Sequence, residues 1–370
     1  MRELDLEQFW KDDEVAHQNN CFNPETRQMA LGIRMSEECV FAELGEEGNP
    51  WGYIDSEKKL ELNKRYNEKA IKIVGKSLLP EVLVRPKESY FPNIKRIGEV
   101  FEGRYFYHNE TEWLEGNVKT PLELEAMLDR VEKLDLRSFI LPTEWESEKK
   151  RIYEKYGYKP NQSRSIRGPV TLATSIYGTE NLIYLIFDEP ELAQRFSTMI
   201  GDVAIGIANI MDEEAGYTKE NAPRGYSFAD DNCALLTDEM YELFGYPVLK
   251  KIFETFCPNE GDNRYQHSDS DMKHLLPILG RLNLTGCNFG PNVLVDAIRR
   301  YMPKTRIDGC IAPFTFMNND IKKIIAEVRR DCEMASECKG LNIFTAGSIN
   351  NGSMLTSMRT VMETILEYRK

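Results

Sequence analysis

From about Leu78 onward, short runs of apolar, β-branched or aromatic residues alternate with longer stretches in which apolar positions recur every three or four residues. The short runs "EVLVRP", "GRYFYH", "RSIRGPVTLA", "RGYSFADD", "NLTGCNF", "TRIDGCIAP" and "LNIFTAGS" predict strands. The longer stretches predict helices over 189–216, 237–256, 293–302, 319–339 and 356–368. Thr237 is placed to cap one helix, with Met240 three residues on; Asn318 or Asn319 precedes another, whose apolar stripe is Ile321, Ile324, Ile325 and Val328. Repeated β–α alternation of this kind builds a mainly parallel sheet ringed by helices. Pattern alone does not set the number of strands.

Residues 1–75 read differently. They carry a turn signal at "EEGNPWGY" and a charged helical stretch at "SEKKLELNKRYNEKAIKIV", which predicts an N-terminal extension packed on a main body over 76–370. No low-complexity linker or long repeat marks a further domain.

Composition narrows the class. Of 370 residues 41% are apolar, enough for a large core, yet the longest uncharged apolar runs, such as "NLIYLIF", fall far short of the ~20 residues that span a bilayer. The start, "MRELDLEQFWKDDEV", has no apolar signal region, so a cytoplasmic location is expected. Eight scattered cysteines without a CxxC pair argue against a disulfide scaffold or a zinc ribbon. A net charge of −13, with no basic cluster to offset it, disfavours nucleic acid as a partner. There is no GxSxG and no Gly-rich phosphate loop.

In a parallel α/β barrel the C-terminal strand ends form the active face, so polar residues just past an apolar run are candidates. "YSFADDN" offers Asp230 and Asp231, of which only one can aim into the mouth, because adjacent side chains of an extended chain face opposite ways. A helix cap is the alternative role for either. "YQHSD" offers His267 and Asp269, which share a face as i and i+2. The alternative there is a surface turn, with Asp269 or Asp271 capping a helix that begins near Met272 and holds His274. "TGCNFGP" offers Cys287 and Asn288, and "IDGCIAP" offers Cys310; a small buried hydrophobe is the commoner fate of a free thiol. Tyr226, Phe228, Tyr265, Phe289, Phe314 and Phe316 are candidates to line a pocket, although strand alternation sends about half of such a set elsewhere.

The order of segments carries a resemblance. "RGPVTLATSIYGTENLIYLIFDEPELAQRFSTMIGDVAIGIANIMDEEAG", then "FADDNCALLTDEMYELFGYPVLKKIFETF", "HSDSDMKHLLPIL" and "FTAGSINNGSMLTSMRTVMETILEY" resemble the uroporphyrinogen decarboxylase superfamily over roughly 167–370, with a weaker likeness from Leu78. That resemblance implies a (β/α)8 TIM barrel. It also implies one of two activities: cofactor-free decarboxylation of a tetrapyrrole, or methyl transfer involving a corrinoid protein, often helped by zinc.

Departures from the family pattern choose between them. The decarboxylases' Arg-Gln-Ala-Gly-Arg loop is not reproduced; "ETRQMALGIRMSE" supplies only Arg27 and Arg34, so decarboxylation is the runner-up reading. Thiol-specific methyltransferases of the family hold zinc with His-x-Cys and a later Cys, where this chain has His267, then Asp269, and Ser348 near the later position. The expectation is a harder site of His267, Asp269 and Cys310 or Asp231. Asp231, His267 and Asp269 would be catalytic, and Tyr226, Phe228, Asn288 and Phe314 substrate-binding. The expected reaction moves a methyl group from a small methylated donor, such as an aryl methyl ether, to the cobalamin of a partner corrinoid protein. A homodimer fits this reading, and a non-catalytic barrel is a third alternative.

Overall fold

The computed structural model describes residues 4–108, 111–349 and 351–369. In chain order the strands are β1 (Ala30–Leu31), β2 (Arg104–His108), β3 (Thr111–Glu115), β4 (Ser165–Arg167), β5 (Tyr226–Ala229), β6 (Arg264–Ser268), β7 (Gly286–Phe289), β8 (Arg306–Ile311) and β9 (Leu341–Thr345). Seven of them form one sheet in the order β1-β9-β8-β7-β6-β5-β4. The pairs β1/β9, β9/β8, β8/β7 and β5/β4 run parallel. Sequential order with helical crossovers belongs to a singly wound α/β barrel, as opposed to a doubly wound sheet, whose order reverses at a switch point. β2 and β3 pair separately, as an antiparallel hairpin.

By internal contacts the chain divides into two units. The first comprises Met1–Val84, His267–Leu276 and Asn283–Lys370. Its N-terminal segment adds a strand to the sheet: Ala30 and Leu31 pair with Asn342 and Ile343. Asn20 also reaches the N-terminal ends of two strands, donating from Nδ2 to the Thr285 carbonyl and accepting from Arg306 at Oδ1, both at 2.7 Å. The helix Ile321–Ala335 buries Ile324, Val328, Asp331, Cys332 and Ala335; of the stripe read from the spacing, Ile324 and Val328 are buried, Ile325 is half-buried and Ile321 is exposed. Its cap is Asp320, which accepts from Lys323 N, and not Asn318 or Asn319. Asn319 instead ties the following segment, accepting from Met354 N and Ser357 Oγ.

The second unit comprises Arg85–Gln266 and Pro277–Leu282. Here the helices Pro190–Glu214 and Asp238–Phe256 start where the sequence places them, with Pro190 in the first turn and Thr237 accepting from Met240 N. Of the strands predicted from the sequence, one is absent and one is cut short. "EVLVRP" forms no strand, and Val82 and Leu83 are well exposed. In "RSIRGPVTLA" only Ser165–Arg167 is extended, and Pro169–Tyr177 is a helix. That helix is buried on nearly every side, so no amphipathic period appears to distinguish it from a core strand. Pro169 sits in its first turn, where a fixed φ and a missing N–H cost nothing.

Candidate functional site

β5 shows how a four-residue strand sorts its side chains. Tyr226 and Phe228 are buried against the helix Asp238–Phe256: Tyr226 stacks on Phe256 and Phe228 meets Phe253 edge to face, with centroids 5.5 and 5.3 Å apart. These two aromatics, read from the sequence as pocket-lining, face the helix layer and pack the core. Parity carries Asp230 the same way, and it is wholly buried. Its Oδ1 accepts from the backbone N and the hydroxyl of Thr171, both at 2.8 Å. Asp230 thus caps the helix Pro169–Tyr177 from a neighbouring strand, in place of the side chain that Gly168 lacks.

The approach is close. A Cβ on Gly168 would stand 2.1 Å from the Asp230 Cβ. Gly168→Ala is therefore expected to lose about 2–3 kcal/mol of stability, the upper range for overpacking a core, read as a lower urea midpoint at unchanged slope.

Burial pushes the Asp230 carboxyl up to about 6, against the opposing pull of the Thr171 hydrogen bonds. Its second oxygen has no partner. Because the folded value lies above the unfolded one, near 3.8, stability is greatest below that value and falls as pH rises towards 6. The full loss is about 3 kcal/mol, at 1.36 kcal/mol per unit. Asp230→Asn keeps the accepting oxygen and cannot ionise. Its stability relative to the parent should rise between pH 4 and pH 7 in paired urea titrations, and a flat difference would show that Asp230 does not titrate there.

The next residue, Asp231, is half-buried and opens the short 3-10 turn Asp231–Leu235. On β6, His267 is half-buried and Asp269 is exposed, with His267 Nε2 3.3 Å from Asp269 Oδ1. Neither Asp269 nor Asp271 caps a helix: the turn Lys273–Leu275 follows Met272 without a side-chain cap.

What orients His267 is Asn288 on β7. The Asn288 Nδ2 donates to two backbone carbonyls, those of Asp308 and, at 3.0 Å, of Thr345. Both partners are pure acceptors, so the amide orientation is settled and Oδ1 must be the atom facing the histidine. That oxygen lies 2.9 Å from His267 Nδ1. Nδ1 is therefore the protonated nitrogen, and in the neutral ring Nε2 carries its lone pair towards the Asp269 carboxylate. A lone pair and a carboxylate oxygen repel each other unless a cation or a proton lies between them. The sequence reading placed Asn288 against substrate; the structure gives it this positioning contact.

Two glycines crowd Asp269. A Cβ on Gly290 would stand 2.5 Å from the Asp269 carbonyl oxygen, and one on Gly347, where φ is +116°, would stand 2.6 Å from Asp269 Oδ1. Their signal in the sequence is the glycine directly after each strand run, in "FGP" and "TAGS".

The remaining candidates are placed as follows. Cys310, expected as a metal ligand, is buried and donates from Sγ to the Val293 carbonyl instead; burial holds its thiol far above the ordinary range. Cys287 is likewise buried and pushed up. Phe314 is 69% exposed on the short helix Pro313–Met317, and Ser348 is exposed past β9.

Residues 164–368, more than half of the chain, match the uroporphyrinogen decarboxylase (URO-D) family. Among solved structures, a methyltransferase from Methanosarcina mazei is similar, with a TM-score of 0.55 and 14% identity over 99% of each chain. At that identity the likeness speaks for the fold. No curated protein matches the sequence. No helix among the described residues is long and apolar enough to cross a membrane.

Proposed function

We propose that this chain, which belongs to the uroporphyrinogen decarboxylase family, is a methyltransferase that delivers a methyl group from a small methylated oxygen donor to the reduced corrinoid of a partner protein. The observation that carries the reading is His267, held by Asn288 with its Nε2 turned to Asp269. The similarity to the Methanosarcina methyltransferase is in keeping with it.

Breaking a methyl–oxygen bond requires that charge developing on the departing oxygen be stabilised. An imidazole nitrogen facing a carboxylate oxygen suits a zinc-like divalent ion, and the repulsion between the Nε2 lone pair and the Asp269 carboxylate is relieved by such an ion. A bound ion would supply Lewis acidity at the leaving oxygen. The chain's own part is to hold that geometry. Asn288 keeps the Nδ1 proton in place, and Asp269 is packed against Gly290 and Gly347. Where no ion binds, a protonated His267 could give the same oxygen a proton.

The family's other activity needs cations over several carboxylates. Here Arg27 lines a small cavity beside Cys21, and Arg34 is exposed. The test is incubation with a reduced corrinoid protein and a panel of methyl ethers, methanol and methylated thiols, following the corrinoid spectrum for methyl–cobalt formation. Turnover with oxygen donors is expected; no spectral change with any donor would overturn the proposal.

A further inference from the structure

A second constellation of reactive side chains lies in the N-terminal segment, independent of the methyl-transfer reading. The helix Leu6–Cys21 leaves its regular path near the end: Gln18 is extended, and Asn19, Asn20 and Cys21 have φ of 53°, 54° and 66°. Three successive non-glycine residues in the left-handed region hold backbone strain, and such strain gathers at functional positions. The turn brings Cys21 Sγ to 3.9 Å from His17 Nδ1. On its other side the ring faces two oxygens, with Nε2 3.2 Å from the Leu31 carbonyl and 3.4 Å from Asp13 Oδ2. Asp13 is itself buried and anchored, accepting from Leu31 N at 2.7 Å.

Nε2 therefore carries a proton whatever the state of the ring, and Nδ1 is the nitrogen that exchanges a proton with the thiol. Nucleophile, base and orienting carboxylate stand in line. Hydrogen bonds to Asp13 and then to Cys21 push His17 up to about 10.

A cavity of about 30 Å³ opens at Cys21, lined also by Arg27, Gln28, Lys339 and Tyr368. Gln28 is 3% exposed, and its Oε1 has no hydrogen-bond partner. A buried amide oxygen left unpaired beside a cavity marks a place for a small donor molecule. One water needs roughly 10–15 Å³, so there is room for a small molecule such as hydrogen peroxide.

We propose that Cys21 is an oxidant-reactive thiol, activated by His17 and Asp13, whose cavity admits hydrogen peroxide. The thiolate sulfur attacks one peroxide oxygen, the S–O bond forms and the O–O bond breaks. The departing hydroxide takes the imidazolium proton and leaves as water. Cys21 is oxidised to the sulfenic acid while peroxide is reduced, and His17 ends neutral. Burial holds Cys39, Cys257, Cys287, Cys310 and Cys332 above the ordinary thiol range.

The experiment treats the fully reduced chain with hydrogen peroxide, traps sulfenic acid with dimedone, and maps all eight thiols by peptide mass spectrometry. Cys21 should be labelled at least ~10-fold faster than Cys338, and His17→Gln should slow Cys21 by at least ~10-fold while leaving Cys338 unchanged. Labelling of Cys21 no faster than Cys338 in the parent overturns the proposal, and that comparison stands even where the variant fails to fold. An unchanged Cys21 rate in a folded His17→Gln chain overturns it equally.

Discussion

His267→Ala should abolish most methyl transfer, lowering kcat by about 10²–10³ with little change in fold. The figure follows from the role proposed for the ring. Stabilising a departing oxygen through an ion or a proton contributes several kcal/mol, and each 1.36 kcal/mol is tenfold in rate. His267 is half-buried near a strand end, and its hydrogen bond to Asn288 is made by a side chain that keeps two backbone partners without it, so removing the ring leaves the core intact. The thermal midpoint should move little. Metal titration separates the two forms of the proposal. If an ion is held, His267→Ala and Asp269→Ala both lose zinc stoichiometry in elemental analysis. If a proton does the work, the parent is active without metal and only His267→Ala is severe. Full activity of His267→Ala would remove this residue from the chemistry altogether.

Asn288→Ala should act twice, on turnover and on stability. Without the Oδ1 acceptor the histidine's protonated nitrogen is no longer dictated, and losses of such supporting contacts typically cost 10–100-fold in metal affinity or activity. The Asp308 and Thr345 carbonyls each lose one hydrogen bond, while Thr345 keeps the one from Gly347 N. Each lost hydrogen bond is worth about 0.5–1.5 kcal/mol net, so a fall of about 1–3 kcal/mol in unfolding free energy is expected by urea titration. The useful comparison is with His267→Ala, which should lose activity and keep stability. If Asn288→Ala destabilised the fold with kcat unaltered, the amide would be a core fastener alone.

Much of this architecture is readable before any coordinates. The helices starting at Pro190 and Asp238 announce themselves through Pro in the first turn and Thr237 as a cap, signals that act over three or four residues. The mouth position of "HSD" is likewise local, since it follows directly on an apolar run that ends a strand. Where the reading failed, the deciding contact lay far along the chain. "GPVTLA" looks like a strand because it is apolar throughout, and it is a helix because Asp230, 59 residues from Thr171, caps it. Tyr226 and Phe228 belong to the face that meets the helix Asp238–Phe256, and a four-residue strand gives no internal clue as to which parity points inward.

Sequence alone determined the alternation of strands and helices, the family, and the strand ends at which polar chemistry gathers, because propensity, capping and periodicity are properties of neighbours. Tertiary structure decided which of two adjacent aspartates is a buried cap and which is half-exposed, that Asn288 governs the proton on His267, and that Cys21 meets a histidine and an unpaired amide oxygen at a cavity. Those are matters of angstroms between residues far apart in the chain. No local preference encodes them; the packing of the whole sheet and its helices does.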